Sequence, residues 1–158
     1  MDDDTRRALI EEYREGPAVV HRALEGITEA ELDHRPIGGD WSPRQVVQHL
    51  ADSEMTSAIR LRTLIAEDNP TLSGYDEAGF ADIFRYADRP IEPALMAMDS
   101  ARATTAQILD SLEPAQWQRA GTHTESGSYS VVDWLRIYAR HAHEHAEQID
   151  RVRATYPG

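Results

Sequence analysis

The C-terminal segment of the chain, residues 129–154, has the strongest helical pattern in the sequence. It reads YSVVDWLRIYARHAHEHAEQIDRVRA, and its apolar side chains recur at intervals of three and four residues. Such intervals place side chains on one face of an α-helix. That face contains Leu135, Tyr138, Ala142, Ile149 and Val152. Because no run of alternating β-branched residues competes with this pattern, the sequence predicts an all-α protein and no sheet.

Three further long helices are predicted from the same kind of spacing. The first covers residues 4–24, and we expect it to kink or break at Gly16-Pro17, since proline cannot donate the backbone hydrogen bond of a helix interior. The second runs from residue 42 to residue 66, and the third covers residues 91–112. Together with the C-terminal segment they make four long helices.

Two of these helices begin with a recognisable cap. Ser42 is followed by Pro43, which suits the first helical position, and by Gln45, which completes a capping box. Ser130 is followed by Asp133 at the same spacing. These signals predict where the second and fourth long helices start.

Turn-forming residues separate the long helices. Residues 28–33 predict one short turn of helix, residues 67–88 a connector with a short helix around 76–86, and residues 121–128 a loop. A chain of 158 residues can bury one hydrophobic core of its own. We therefore expect a single domain over residues 1–158, folded as a four-helix bundle.

The composition argues against several classes of function. The chain has no cysteine, which removes disulfides, thiolate metal ligands and cysteine nucleophiles. Its formal net charge of −12 makes it a poor ligand for nucleic acid, because phosphates attract surfaces rich in lysine and arginine. No apolar run approaches the roughly twenty residues that span a bilayer, and no apolar signal core follows the acidic N-terminus. A cytoplasmic protein without nucleic-acid or membrane partners is expected.

The histidines near the C-terminus differ in the direction that they face. Positions four apart nearly superpose on a helix, whereas positions two apart diverge by about 200°. His141 and His145 therefore share the apolar face, and His143 points away among charged residues. A pair of inward histidines at this spacing can hold a metal ion at two points.

His49 is the natural third ligand. It lies on the second long helix beside Val46, Leu50 and Ser53, on a mainly apolar face. Three neutral imidazoles in a bundle suit a divalent ion such as zinc or nickel and leave positions open for water or a small-molecule substrate. Because the ligands are neutral, the ion keeps its charge and lowers the pKa of bound water.

Simpler explanations exist for each histidine taken alone. A single histidine on an apolar face is more often a hydrogen-bonded core residue than a ligand. The cluster between residues 140 and 151 also fits a solvated, pH-sensitive surface. The metal interpretation rests on the conjunction of two inward histidines on one helix with a third on another.

Glu54 lies close to the same face of the second long helix. It is a candidate catalytic residue, either accepting the N–H of a metal ligand or acting as a general base. The simpler interpretation makes Glu54 a partly exposed residue that pairs with Arg60 or Arg62.

The combination of WSPRQVVQHLADSE with HAHEHAEQI resembles the DinB/YfiT-like metalloenzyme superfamily. The family pattern has a histidine in the second long helix and H-x-x-x-H followed by x-x-Q-I in the fourth. Here those positions are His49, His141 and His145, with Gln148 and Ile149 ending the motif. The resemblance covers nearly the whole chain.

The resemblance implies a four-helix bundle with long crossover connections and a divalent metal, zinc or nickel, held by the three histidines. It also implies a homodimer. Family activities include reactions with low-molecular-weight thiols as well as proposed hydrolysis. The resulting hypothesis is a metal-dependent hydrolase or thiol-dependent transferase that activates water or a thiol.

Two other classes of function stay open. In a non-catalytic metal- or ligand-binding module, a fourth protein ligand such as Glu54 or Asp52 would close the site. In a metal-free helical interaction domain, hydrogen bonds would satisfy the histidines. The absence of an obvious fourth ligand favours the enzyme, because structural zinc sites usually have four protein ligands.

Overall fold

The computed structural model describes residues 1–158 and contains four long helices, two short ones and three short strands. In chain order the elements are α1 (Asp3–Ala23), α2 (Glu29–Leu32), α3 (Pro43–Ala66), β1 (Thr71–Leu72), α4 (Glu77–Ile83), α5 (Glu92–Ser111), β2 (Ala120–His123), β3 (Gly127–Ser130) and α6 (Val131–Arg153). Single 3₁₀ turns at Tyr86–Asp88 and Gln116–Gln118 precede α5 and β2. The four-helix architecture agrees with the sequence prediction, and none of the helices is long and apolar enough to cross a bilayer.

The predicted helix starts are confirmed at α3 and α6. The Ser42 hydroxyl accepts the backbone N–H of Gln45, and the Gln45 side chain accepts the backbone N–H of Ser42. Ser130 and Asp133 make the same reciprocal pair at the start of α6. Each box satisfies two backbone donors that the first turn of a helix leaves free.

A kink or a break was expected at Gly16-Pro17, and helix α1 is not broken there. It continues through Pro17 as one helix. Proline has no N–H, so the carbonyl of Tyr13 loses its normal helical donor. The side chain of Arg102 replaces that donor, with Nε 2.9 Å and Nη2 2.7 Å from the Tyr13 carbonyl oxygen. A tertiary contact thus satisfies the acceptor that the proline exposes.

The long helices do not follow one another around the bundle. Helix α1 packs beside α5 and α6, and α3 also packs beside α5 and α6. The consecutive helices α1 and α3 therefore lie diagonally across the core, as do α5 and α6. The chain crosses the bundle twice, through residues 24–42 and residues 112–130. The family resemblance implied these crossover connections.

A small three-stranded sheet contradicts the expectation that the chain has no strand and that residues 121–128 form a loop. β1 pairs in parallel with β2, and β2 pairs antiparallel with β3. The strands have two to four residues, too few to show an alternating pattern in the sequence. Their pairing joins Leu72 to His123, far apart in the chain. Gly121 permits it, because a side chain there would overlap the backbone of Pro70.

The core consists of two apolar clusters separated by a polar layer. One cluster includes Trp134 and Leu61, and the other includes Leu50 and Ile149. Between them, at the middle of the bundle, lie the buried polar side chains of Glu54 and Arg102. This layer is where the candidate site is built.

Gly16→Ala is expected to destabilise the protein by roughly 1–3 kcal/mol, although alanine favours a helix over glycine by about 1 kcal/mol. A Cβ at position 16 would lie 2.7 Å from Cζ of Arg102 and 2.9 Å from Cβ of Ala142. Arg102 is buried and held by several hydrogen bonds, so it cannot move away freely. Urea unfolding measures the change, with the exposed Glu15→Ala in the same helix as the control. An increase in stability for Gly16→Ala would contradict the close packing.

Candidate metal centre

Three histidines from two helices meet at the polar layer. His49 comes from α3, and His141 and His145 come from successive turns of α6. The ring centroid of His49 lies 5.4 Å from that of His141 and 4.8 Å from that of His145. The ring centroids of His141 and His145 are 4.6 Å apart. Each residue offers one ligand atom, and these atoms lie within 4.8 Å of one another. The predicted convergence is thus present in the fold.

The other four histidines lie outside this cluster. Nε2 of His143 is 2.9 Å from the backbone oxygen of Glu12 on α1, so His143 faces away from the site as predicted. The remaining three have their own partners: His21 with Asp99, His34 with Thr155, and His123 with the backbone N–H of Glu125. The cluster is a property of the helix faces and not of histidine abundance.

The three clustered imidazoles are held in the neutral form. Burial, together with a smaller contribution from the neighbouring His145, lowers the pKa of His49 to about 3. Burial and the two neighbouring histidines set the pKa of His141 well below its ordinary value. Burial likewise lowers the pKa of His145, with Gln148 acting in the opposite direction. Neutral imidazole is the form that binds metals.

One nitrogen atom of each clustered histidine can bind a cation. Nδ1 of His49 and Nδ1 of His141 are buried without a hydrogen-bond partner. Nδ1 of His145 donates to the side-chain oxygen of Gln148 at 2.8 Å, which leaves Nε2 of His145 with its lone pair free. Such a hydrogen bond fixes the tautomer and orientation of a metal-ligating histidine. The donor set, three neutral nitrogens, is one that zinc and nickel accept.

Glu54 is fully buried, so its interpretation as a partly exposed residue paired with Arg60 or Arg62 is wrong. Its partner is Arg102 on α5, with Nη1 of Arg102 2.5 Å from Oε1 of Glu54. Oε1 also lies 4.0 Å from Nδ1 of His141. The carboxylate therefore stands directly behind one of the three histidines.

The hydrogen bonds of Glu54 occupy both of its oxygens. Oε1 accepts from Arg102, and Oε2 accepts from the hydroxyls of Tyr13 at 3.3 Å and Ser57 at 3.4 Å. Burial raises the pKa of the Glu54 carboxyl, and the Arg102 guanidinium, Tyr13 and Ser57 act against that rise. An arginine keeps its charge in a protein interior, so its carboxylate partner compensates it.

Aromatic rings pack against two of the three clustered histidines. The Trp41 ring lies 5.1 Å from that of His49, and the Tyr138 ring lies 5.7 Å from that of His141. Tyr86 packs at 6.3 Å from Trp41 and donates its hydroxyl to Asp52. Asp52 is thus bonded to Tyr86 and does not belong to the histidine cluster, so it does not act as a fourth ligand here.

Arg102 and the burial of Glu54 were not predicted from the sequence, although a signal for both is present in it. Arg102 sits between Met98 and Ala106 at helical spacing, and all three are buried. Glu54 lies in the same way between Leu50 and Ala58. The apolar face of α5 carries one positive residue, and the apolar face of α3 carries one negative residue. Such a combination indicates a buried ion pair, because an unpaired buried charge is strongly unfavourable.

The sequence profile of the DinB superfamily matches residues 12–149 of the chain. The chain belongs to the DinB superfamily. The match begins within α1 and ends at Ile149 in α6, so it includes all four long helices and the three clustered histidines.

Curated proteins with similar sequences carry the name "Putative metal-dependent hydrolase". One from Oceanobacillus iheyensis is 34% identical over 140 residues, which is 89% of this chain and 81% of that protein. One from Bacillus mycoides is 33% identical over 144 residues, covering 91% of this chain and 83% of that protein. The similarity extends over most of this chain and most of each relative.

Two solved structures share the architecture of this chain. YfiT from Bacillus subtilis, described as "a probable metal-dependent hydrolase with an unusual four-helix bundle topology", superposes with a TM-score of 0.90 at 27% identity, over 96% of this chain and 87% of its own. A mycothiol-dependent maleylpyruvate isomerase gives a TM-score of 0.72 at 14% identity, over 91% of this chain and 60% of its own. The second similarity shows a shared fold only.

The metal-free protein is expected to lose stability as the pH falls from 7 to 5. The unfolded chain protonates its histidines near pH 6.5, whereas the folded chain keeps the clustered histidines neutral to lower pH. The unfolded state then binds more protons, and each such histidine lowers the free energy of unfolding by up to about 1.4 kcal/mol per pH unit. Urea unfolding at several pH values measures the slope.

His49→Gln is the variant that tests the cause. It removes one of the groups with a lowered pKa, so the decline in stability between pH 7 and pH 5 should become shallower. His34→Gln, outside the cluster, should keep the slope of the unmodified protein. Equal slopes for all three proteins would contradict the assignment.

Proposed function

We propose that this member of the DinB superfamily is a metal-dependent enzyme whose divalent ion, zinc or nickel, is held by His49, His141 and His145. The observation that carries the proposal is the convergence of three neutral imidazoles from two helices, with one ligand atom of each within 4.8 Å of the others. The names of the similar proteins support the same conclusion.

The number of protein ligands favours catalysis over a structural role. Glu54 is engaged by Arg102, and Asp52 is engaged by Tyr86, so neither side chain is free to complete a four-ligand site. Catalytic zinc sites typically have three protein ligands and an open position. When bound, the ion would supply Lewis-acid activation of a water or a thiol, for hydrolysis or for transfer to a small-molecule thiol.

The surrounding residues orient the ligands and limit the access of water. Gln148 holds His145 in the tautomer with a free Nε2. Trp41 packs against His49 and shields it from solvent. Glu54 stands behind His141, and we assign it a positioning role and not that of a general base. The two oxygens of Glu54 already accept hydrogen bonds, and its side chain is buried, so a substrate in solution cannot contact it.

A thiol cosubstrate is the finer part of the proposal. The chain has no cysteine, so a sulfur nucleophile must come from a separate molecule. The dependence of the structurally similar isomerase on mycothiol supports this choice, although that similarity concerns the fold. A homodimer and a cytoplasmic location stay predictions from the sequence and the family resemblance.

The purified protein is expected to bind roughly one divalent ion per chain, and a triple variant His49→Ala, His141→Ala, His145→Ala is expected to bind none. Elemental analysis by mass spectrometry after dialysis measures the ratio. His143→Ala is the matched control, since it changes a histidine of the same helix that faces α1.

The control should keep the metal of the unmodified protein. Loss of metal from His143→Ala to the same extent as from the triple variant would contradict the site. A loaded protein with no turnover in hydrolytic or thiol-transfer assays would instead indicate a non-catalytic metal-binding module.

Glu54→Gln is expected to weaken metal binding by roughly 10- to 100-fold, as is typical when a group behind a ligating histidine is changed. It is also expected to lower the free energy of unfolding by about 3–5 kcal/mol, because Arg102 becomes a buried charge without its partner. Competition with a chromogenic chelator measures the affinity, and urea unfolding measures the stability.

The double variant Glu54→Gln, Arg102→Met separates the two effects. Removing both charges should restore much of the stability, since replacing a buried ion pair by uncharged groups is often neutral. Metal affinity should stay low, because no carboxylate stands behind His141. Recovery of metal affinity together with stability would show that Glu54 contributes only to folding.

A further inference from the structure

Two buried donors near the candidate metal centre have no acceptor. They are Nε of Arg60, on α3, and the hydroxyl of Tyr75, in the segment between β1 and α4. The two groups are neighbours, since Cζ of Arg60 lies 5.8 Å from the centroid of the Tyr75 ring. A folded protein rarely leaves one such donor unpaired, and two together indicate that an acceptor from outside the chain belongs between them.

Both donors adjoin the histidine cluster. Nη1 of Arg60 donates to the hydroxyl of Tyr138 at 3.3 Å, and the Tyr138 ring lies 5.7 Å from that of His141. Burial raises the pKa of Tyr75 to about 12, and the Ser53 hydroxyl acts against that rise. Ser53 is one helical turn after His49 in α3. The unpaired donors therefore lie beside the metal ligands.

The charge of Arg60 is also uncompensated at close range. Its hydrogen bonds go to the hydroxyl of Tyr138 and to the carbonyl of Ser73, both uncharged groups. By contrast, the buried Arg102 and the mostly buried Arg44 contact carboxylates directly. An arginine whose partners are neutral can accept the negative charge of a ligand.

The chemistry of these groups selects the ligand. The Nε edge of a guanidinium matches the two oxygens of a carboxylate, and a phenol hydroxyl can donate to the same group. The unpaired donors are one Nε–H and one phenol hydroxyl, and the two oxygens of a single carboxylate can accept from both.

We propose that Arg60 and Tyr75, with Tyr138 orienting Arg60, form a subsite for a substrate carboxylate beside the metal centre. The substrate class is a small monocarboxylate whose reacting group lies at His49, His141 and His145. The catalytic part of this inference rests on the proposed function. The carboxylate subsite itself consists of residues that do not bind the metal, so its test does not require the metal.

The experiment is a titration of metal-free protein with butyrate, followed through the Arg60 Nε–H signal in ¹H–¹⁵N correlation spectra. Arg60→Gln identifies the signal by removing it. Butyramide serves as the probe of the same shape without charge. Butyrate should shift the Arg60 signal in a saturable manner, and butyramide should bind roughly tenfold more weakly or worse.

The variants establish which side chains bind the carboxylate. Butyrate binding, measured through backbone amides around residue 75, should weaken roughly tenfold or more in Arg60→Gln and by a few-fold in Tyr75→Phe. Arg62→Gln is the matched control, because Arg62 lies on the same helix but contacts Thr105 on α5. It should leave butyrate binding unchanged.

Other outcomes overturn the proposal. If the Arg60 signal does not move with butyrate, or moves equally with butyramide, the unpaired donors are satisfied by water and no carboxylate subsite exists. Equal weakening in Arg62→Gln would show general electrostatic attraction. The metal content of the unmodified protein separates this test from that of the proposed function. If the unmodified protein can be loaded with metal but does not bind butyrate, the subsite alone is rejected. If it binds butyrate but cannot be loaded with metal, the metal enzyme alone is rejected.

Discussion

The buried ion pair between Glu54 and Arg102 holds the four long helices together at the level of the site. Arg102 projects from α5, pairs with Glu54 on α3, and donates to the backbone oxygens of Tyr13 on α1 and Tyr138 on α6. Its Cζ also lies 3.9 Å from the centroid of the Tyr13 ring. Because a buried charge without partners is strongly unfavourable, all four helices must meet at this point for the chain to fold.

Pro17 and Gly16 prepare α1 for this contact. The proline leaves the carbonyl of Tyr13 without a helical donor, and the glycine leaves space for the guanidinium beside the helix. Pro17 would weaken an isolated helix, but here it leaves the Tyr13 carbonyl free to accept a tertiary hydrogen bond from Arg102. The same layer separates the two apolar clusters of the core and fixes the depth at which His141 sits behind Glu54.

The candidate centre combines neutral metal ligands with a charged layer behind them. Glu54, the acidic side chain behind His141, is paired with Arg102, so the histidine cluster carries no net negative charge. A divalent ion in that place would keep its positive charge, as an electrophilic catalyst requires. Arg60 adds a second positive group at the same end of the site, where two buried donors lack acceptors. This arrangement suits a neutral or singly negative substrate.

The sequence by itself determined the helices, their caps and the direction of the histidines. These properties depend on local geometry: a capping box involves residues three apart, and helical spacing decides that His141 and His145 share a face while His143 does not. The inward face of α3 then pointed to His49 as the third member. The family pattern added the crossover topology, which local spacing does not encode.

Only the tertiary structure decided the partners of the buried charges and the small sheet. Glu54 and Arg102 are 48 positions apart, and the acceptor on Tyr13 is 89 positions from Arg102. The apolar neighbours of each residue on its own helix indicate burial, but helical spacing does not reveal which opposite charge a distant helix will supply. The strands between Thr71 and Ser130 are equally dependent on distant pairing. Long-range pairing of polar groups is decided by packing, and packing becomes visible only when the four helices are assembled.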